Sequence, residues 1–260
     1  MRKVMNKQKF AKNLMIVISV LAVVTLFYVD PIKQDLSYHN FVDNNSRLGI
    51  ANFWNVASNL PFLIIGIMGL VQFKKLKIIT EMGIAYWLMF FGLILVAFGS
   101  GYYHLAPSND TLVWDRLPMT IAFMSLFAIV ISEFINERVG ALLLIPLLLI
   151  GAASVFYWQW TESNGVGDLR FYALVQFLPI ILIPLILLLY PPKFINITGY
   201  WLLLLAYVAA KILEYYDGEI FELLYHSISG HSIKHVSAAL GMLFLLNNYK
   251  NRIRVYSIKH

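Results

Sequence analysis

Cysteine is absent from all 260 residues, which excludes both a disulfide framework and thiolate metal ligands. Charge is scarce as well. Asp, Glu, Lys and Arg make up 13% of the chain, about half their share in a soluble globular domain. With 60% hydrophobic residues and a mean hydropathy of +0.71, near-continuous apolar runs leave no room for a separate aqueous core. Internal repeats and low-complexity tracts are also missing. The net charge of +6 lies mostly at the two ends and in short loops. That distribution suits membrane topology and argues against a nucleic-acid partner.

What is present is a series of apolar stretches. A helix needs roughly 17–25 such residues to cross a bilayer, and about eight stretches qualify. They fall near residues 13–29, 52–73, 83–104, 116–132, 139–157, 169–190, 197–213 and 231–247. Short polar links separate them, several with Pro or Gly, such as Asp30-Pro31 and Pro191-Pro192. The first stretch follows Arg2, Lys3, Lys7, Lys9 and Lys12, as a signal peptide would. It ends in Phe27-Tyr28-Val29-Asp30-Pro31 without a small-x-small cleavage site, so it is read as an uncleaved anchor helix.

Acidic residues gather in alternate connections (Asp30, Asp35, Asp43, Glu162, Asp217) and basic ones in the others (Lys74, Lys75, Lys77, Arg138, Lys193). The positive-inside rule then puts both termini in the cytoplasm. Lys33, Arg47 and Arg170 stand as exceptions on the acidic side, and Glu81, Glu133 and Glu137 on the basic side. Short loops and basic ends suggest a bacterial inner membrane.

Against this background three histidines stand out. His104 ends the motif Ser100-Gly-Tyr-Tyr-His104, and the last apolar stretch opens His231-Ser-Ile-Lys-His235. Both Ser100/His104 and His231/His235 have the i,i+4 spacing that puts two side chains on one helix face. Asp115 is expected to open the helix after His104. The charge-derived topology sets all of these residues at one depth, near the extracytoplasmic face. Three neutral imidazoles with one open position form the ligand set of a catalytic zinc, and polar groups at membrane depth are costly unless used. In that setting Asp115 would serve as general base to a metal water, and the Ser100 hydroxyl would donate to an oxyanion. The substrate would be a lipid amide or ester near headgroup level.

Each piece also has a plainer reading. A lone membrane histidine is usually an interhelical hydrogen-bond partner, and Ser100 between Gly92, Gly99 and Gly101 would permit close helix packing. Asp115 would cap the fourth helix, with Pro118 in its first turn. Lys211 and Glu214 are spaced to pair on one helix, while Lys234 is expected to turn from the histidines and reach the interface. His39, His226 and His260 are read as solvated, and Tyr102, Tyr103, Trp158, Trp160 and Tyr215 as an interfacial belt. Asp168 and Arg170 would cap and anchor the sixth helix or close the site from above. A non-enzymatic lipid receptor with a structural zinc is the alternative function. A transporter is disfavoured, since no ionisable residues track through to the cytoplasmic side.

The motifs Ser100-x-x-x-His104, Asp115-Arg-Leu-Pro-Met and His231-x-x-x-His235 resemble those of the alkaline ceramidases. These are members of a superfamily of seven-helix zinc membrane hydrolases that includes the adiponectin-receptor-like proteins. The block Ile50-Ala-Asn-Phe-Trp-Asn-Val-Ala-Ser-Asn-Leu60 is similar to the opening of their first core helix. The resemblance implies an all-α integral membrane bundle, a seven-helix core at residues 50–248. An extra N-terminal transmembrane helix and outer loop would precede it (1–49), and a basic cytoplasmic tail would follow (249–260). It further implies hydrolysis of the amide bond of ceramide or a related N-acyl lipid. His104, His231 and His235 would be zinc ligands, Asp115 would handle the catalytic water, and Ser100 would assist. One departure stands out. Eukaryotic members carry a calcium site that uses a Glu just before Phe-Trp-Asn and an upstream Asp-Trp-x-Glu pattern. This chain has Asn52 at the first position and lacks the second. The resemblance therefore carries zinc hydrolysis further than it carries calcium, or ceramide itself.

Overall fold

The computed structural model describes residues 2–255, with side chains from residue 7 onward. The tail's Lys259 and His260 lie outside the described residues, as do the side chains of Arg2 and Lys3. The fold is an all-helical bundle. Its elements are α1 (Arg2–Thr25), α2 (Phe53–Ala57), α3 (Leu60–Val71), α4 (Gly83–Leu105) and α5 (Asn109–Val130), then α6 (Glu137–Ser163), α7 (Arg170–Leu189), α8 (Thr198–Tyr215), α9 (Asp217–Leu223) and α10 (Gly230–Asn251). Among the described residues, six helical segments are long and apolar enough to cross a membrane: α1, α2–α3, α4, α5, α6 and α7. This is a multi-pass membrane protein. Helices α8 and α10 fall short of that hydropathy criterion because α8 carries Lys211 and Glu214, and α10 carries His231, Lys234, His235 and three asparagines. They nonetheless pack along each other in the bundle.

Helix α5 is the centre: 78% of its spanning window is buried, against 6% for peripheral α1. It packs on α4 and α6, and α3 packs on α4. The α4–α5 contact is close because both crossing points are glycines. A Cβ on Gly92 would meet the Ala122 backbone nitrogen at 3.0 Å, and one on Gly99 would run into the Trp114 carbonyl. Such small residues allow backbones to approach where lipid gives no hydrophobic drive to association.

Two boundaries differ from expectation. The second apolar stretch is broken at Ser58-Asn59, between α2 and α3, with Pro at the start of α3. Helix α5 begins at Asn109 behind a capping box, in which Thr111 N–H donates to Ser108 Oγ (3.2 Å) and Ser108 N–H to Thr111 Oγ1 (3.0 Å). Asp115 thus lies well inside the helix rather than at its opening, and the capping role falls to Ser108.

At the end opposite the histidines, the last turn of α5 widens to π geometry over Ile131–Ile135. Glu133, within it, is buried. Arg252 donates to both its carboxylate oxygens (2.7 and 2.5 Å), and Tyr200 (2.9 Å) and Tyr86 donate their hydroxyls. The guanidinium also donates to the Lys77 carbonyl at 2.7 Å and lies 3.7 Å from the Phe194 ring centroid. Beside it, Phe194–Ile195 and Ile253–Arg254 form a two-stranded antiparallel sheet that closes this end.

Removing one partner of a buried ion pair strands the other charge, at about 3–5 kcal/mol. Arg252→Met should therefore lower the unfolding free energy in detergent by about 3–5 kcal/mol. The double variant Glu133→Leu/Arg252→Met should recover at least half of the loss.

Candidate metal centre

Two helix ends deliver the three histidines to one point. His104 lies in the last turn of α4 and His231 and His235 in the first turns of α10. Ser229 caps α10, accepting from Ser232 N–H at 3.3 Å. The His231 N–H, free in the first turn, donates to Asp217 Oδ1 at 2.6 Å. The three rings form a nearly equilateral triangle, with centroid separations of 4.9, 5.0 and 5.1 Å. One nitrogen from each lies within 4.8 Å of the others. All three side chains are buried, and Phe41, from the loop after α1, covers His104 and His231 with centroids 4.7 and 4.9 Å away.

The separation of the nitrogens indicates what would fit between them. His104 Nε2 and His231 Nε2 are 3.4 Å apart. Tetrahedral zinc with bonds of about 2.0–2.1 Å holds two ligand nitrogens roughly 3.3–3.4 Å apart. The set is all imidazole, borderline-soft and neutral when ligating, which suits zinc. A partner on the far ring nitrogen fixes such a ligand's tautomer. His235 has one: its Nδ1 is 2.8 Å from Ser58 Oγ. Ser58 lies at the break between α2 and α3, and its hydroxyl also donates to the Asn55 carbonyl at 3.2 Å. Asn55 extends the support, accepting from Ser232 Oγ at 2.7 Å and donating to the Asp43 carbonyl at 2.9 Å. Asn52 donates to the His104 carbonyl at 2.8 Å.

Beside the triangle opens a cavity of about 330 Å³. Its polar end is lined by His235, Ser100, Asp115 and Arg116, and its inner end by Phe62, Leu126 and Met242. From Asp115 to Leu126 along α5 is about 16 Å at 1.5 Å per residue. Ser100 and Asp115, expected beside the histidines, both face this cavity. The close α4–α5 approach is made at Gly92 and Gly99.

Several side chains depart from expectation. Lys234 does not reach for the interface; its ammonium pairs with Glu214 of α8, which also accepts from Lys211 at 2.6 Å. Three residues after His231, it is only about 60° around the helix from it, so it shares the buried face. His39 is not freely solvated but bridges Tyr103 Oη (3.0 Å) and Asn109 Oδ1 (2.9 Å). Tyr103 and Trp158 are buried, whereas Tyr102, Trp160 and Tyr215 are exposed as belt residues. His226 is exposed and pairs with Glu222. Arg170 binds Asp168 at 2.8 Å and donates to the Leu26 and Val29 carbonyls, so this pair anchors α1 to α7. The hydrogen bonds from Arg170 hold the Asp168 carboxyl below the usual carboxylate range. Ser58, Asn55, Phe41, Asp217 and Arg116 were not singled out by sequence reasoning. The hints were the Ile50–Leu60 block, which carries Asn55 and Ser58, and the motif Asp115-Arg-Leu-Pro-Met, which carries Arg116.

The sequence model of the family described as Ceramidase matches residues 39–190. The match takes in Ser100, His104 and Asp115; His231 and His235 lie beyond it. No curated protein and no solved structure matches the chain.

Loss of the outer partner of a metal-ligating histidine typically costs 10–100-fold in affinity. Ser58→Ala should weaken zinc retention by that factor in competition with a chelator, while the unfolding midpoint of the metal-free protein stays within a few degrees.

Proposed function

This chain belongs to the ceramidase family, and from that premise we propose that it is a zinc-dependent membrane amidohydrolase that cleaves the amide bond of ceramide or a related N-acyl lipid. The observation that carries the reading is the buried imidazole triangle, with two Nε2 atoms 3.4 Å apart, opening onto a cavity that is polar at one end and apolar at the other.

His104, His231 and His235 would hold the metal, leaving one position open. When bound, zinc would supply Lewis-acid polarisation of the carbonyl and a water acidified toward neutral pH. The remaining chemistry belongs to the chain. The acyl tail would lie against Phe62, Leu126 and Met242, which brings the amide to the level of Ser100 and Asp115. Asp115 would take a proton from the attacking water and pass it to the leaving amine nitrogen as the C–N bond breaks. The Ser100 hydroxyl would donate to the carbonyl oxygen as negative charge develops there. Phe41, over the triangle, would exclude bulk water. The products would be a fatty acid and a free amine. With the site at the end opposite Glu133 and Arg252, the charge pattern supports chemistry at the extracytoplasmic face and cytoplasmic termini.

Purified protein should hold about one zinc per chain and lose N-acyl lipid hydrolysis on chelation, with recovery when zinc is restored. Asp115→Asn should cut kcat by about 100-fold or more while zinc content is retained, in the range general-base catalysis contributes. Full activity after metal stripping would overturn the reading. Unchanged function in Asp115→Asn would favour a receptor with a structural metal instead.

A further inference from the structure

We propose that the lipid taken by this cavity carries an anionic group, a carboxylate or phosphate, on the amine side of its amide, and that Arg116 receives it. The inference deepens the amidohydrolase reading and rests on it for the position of the amide.

Arg116 follows Asp115 on α5 and lines the same cavity. It is 8% exposed. Its guanidinium is held between aromatic rings, 4.2 Å from the Trp158 centroid and 4.9 Å from that of Tyr172. Nη2 donates to the neutral amide of Gln34 at 2.6 Å. Nη1 is buried with no hydrogen-bond partner. Among the described residues no carboxylate is within ion-pair distance of it.

Other arginines in this chain show the contrast. Arg252, also buried, has both oxygens of Glu133, and Arg170 has Asp168. Around the cavity, Lys211 and Lys234 share the single Glu214. The charged lining residues are Arg116, Lys211 and Lys234 against Asp115 and Glu214, three positive and two negative, one positive charge in excess. A buried cation without a counter-charge is strongly disfavoured, and a stacked guanidinium with a free N–H edge is preorganised for carboxylate or phosphate. Since the apolar end of the cavity takes the acyl tail, the anion beside Arg116 belongs to the amine portion. N-acyl amino acids and N-acylated phospholipid headgroups have this chemistry.

The test uses the full chain, zinc-loaded in detergent, with three substrates of one acyl chain: N-oleoyl glycine, N-oleoyl phosphoethanolamine and the neutral N-oleoyl ethanolamine. At least one anionic substrate should exceed the neutral one tenfold or more in kcat/KM, and the better of the two identifies the anion. Arg116→Gln should reduce that ratio at least tenfold, and Arg116→Lys should retain part of it. A ratio within one variant is insensitive to how much of it folds. In parallel, the preferred anionic lipid should raise the unfolding midpoint of the metal-free protein more than the ethanolamide does, a difference lost in Arg116→Gln. A wild-type ratio near one, or a ratio unmoved by Arg116→Gln, overturns the inference and leaves the amidohydrolase reading intact. Discrimination by the metal-free protein with no hydrolysis of any substrate overturns that reading and leaves the anion site standing.

Discussion

In a hydrocarbon surround a buried polar atom has no water to turn to, so polar side chains must satisfy one another or a ligand. This constraint organises both ends of the bundle. At one end Glu133 would be untenable alone, and Arg252, Tyr86 and Tyr200 converge on it. The same contacts bring the chain's last described residues back onto the bundle through the short sheet with Phe194–Ile195. At the other end the three imidazoles have Ser58 and Asn55 behind them and a cavity beside them. The two clusters differ in how their own polar atoms are met. The Glu133 cluster is nearly closed on itself, whereas the histidine end leaves His104 Nδ1 and Arg116 Nη1 without partners.

The same constraint accounts for three of the six charges that depart from the topology pattern. Arg170, on the acidic side, is paired with Asp168. Glu133 and Glu137, on the basic side, are paired with Arg252 and with Lys193 and Arg254.

Much of the fold and the grouping of the three histidines was legible because membrane helices carry strong local signals. Long apolar runs, i,i+4 spacing and the clustering of costly residues at one depth are all visible without contacts. Asp115 was identified as a site residue but misread as the start of its helix, because Ser108 and Thr111 mark the true start on a polar stretch that hydropathy does not register. The second span read as continuous because the break at Ser58-Asn59, just before Pro61, interrupts the helix without interrupting the apolar run. Trp158 and Tyr103 have the composition of belt residues, and only the packing of Arg116 and His39 shows that they face inward. Sequence pattern reports on faces and depths; partners across the bundle need the assembled fold.

Asn52 shows how such a partner changes what a substitution means. In the sequence it registers as the loss of an acidic residue. In the fold it holds positive φ just before α2 and its amide grips the carbonyl of His104, tying the α2 segment to the helix end that carries a ligand. From α2, Asn55 reaches back to Asp43 in the outer loop and across to Ser232 on α10. Two residues before Asp43, Phe41 lies on the imidazoles. A neutral amide chain thus runs from the loop to both helices of the triangle. The loop that covers the site is consequently held by directional hydrogen bonds to the same residues that set the ligand geometry, so a shift in either is transmitted to the other.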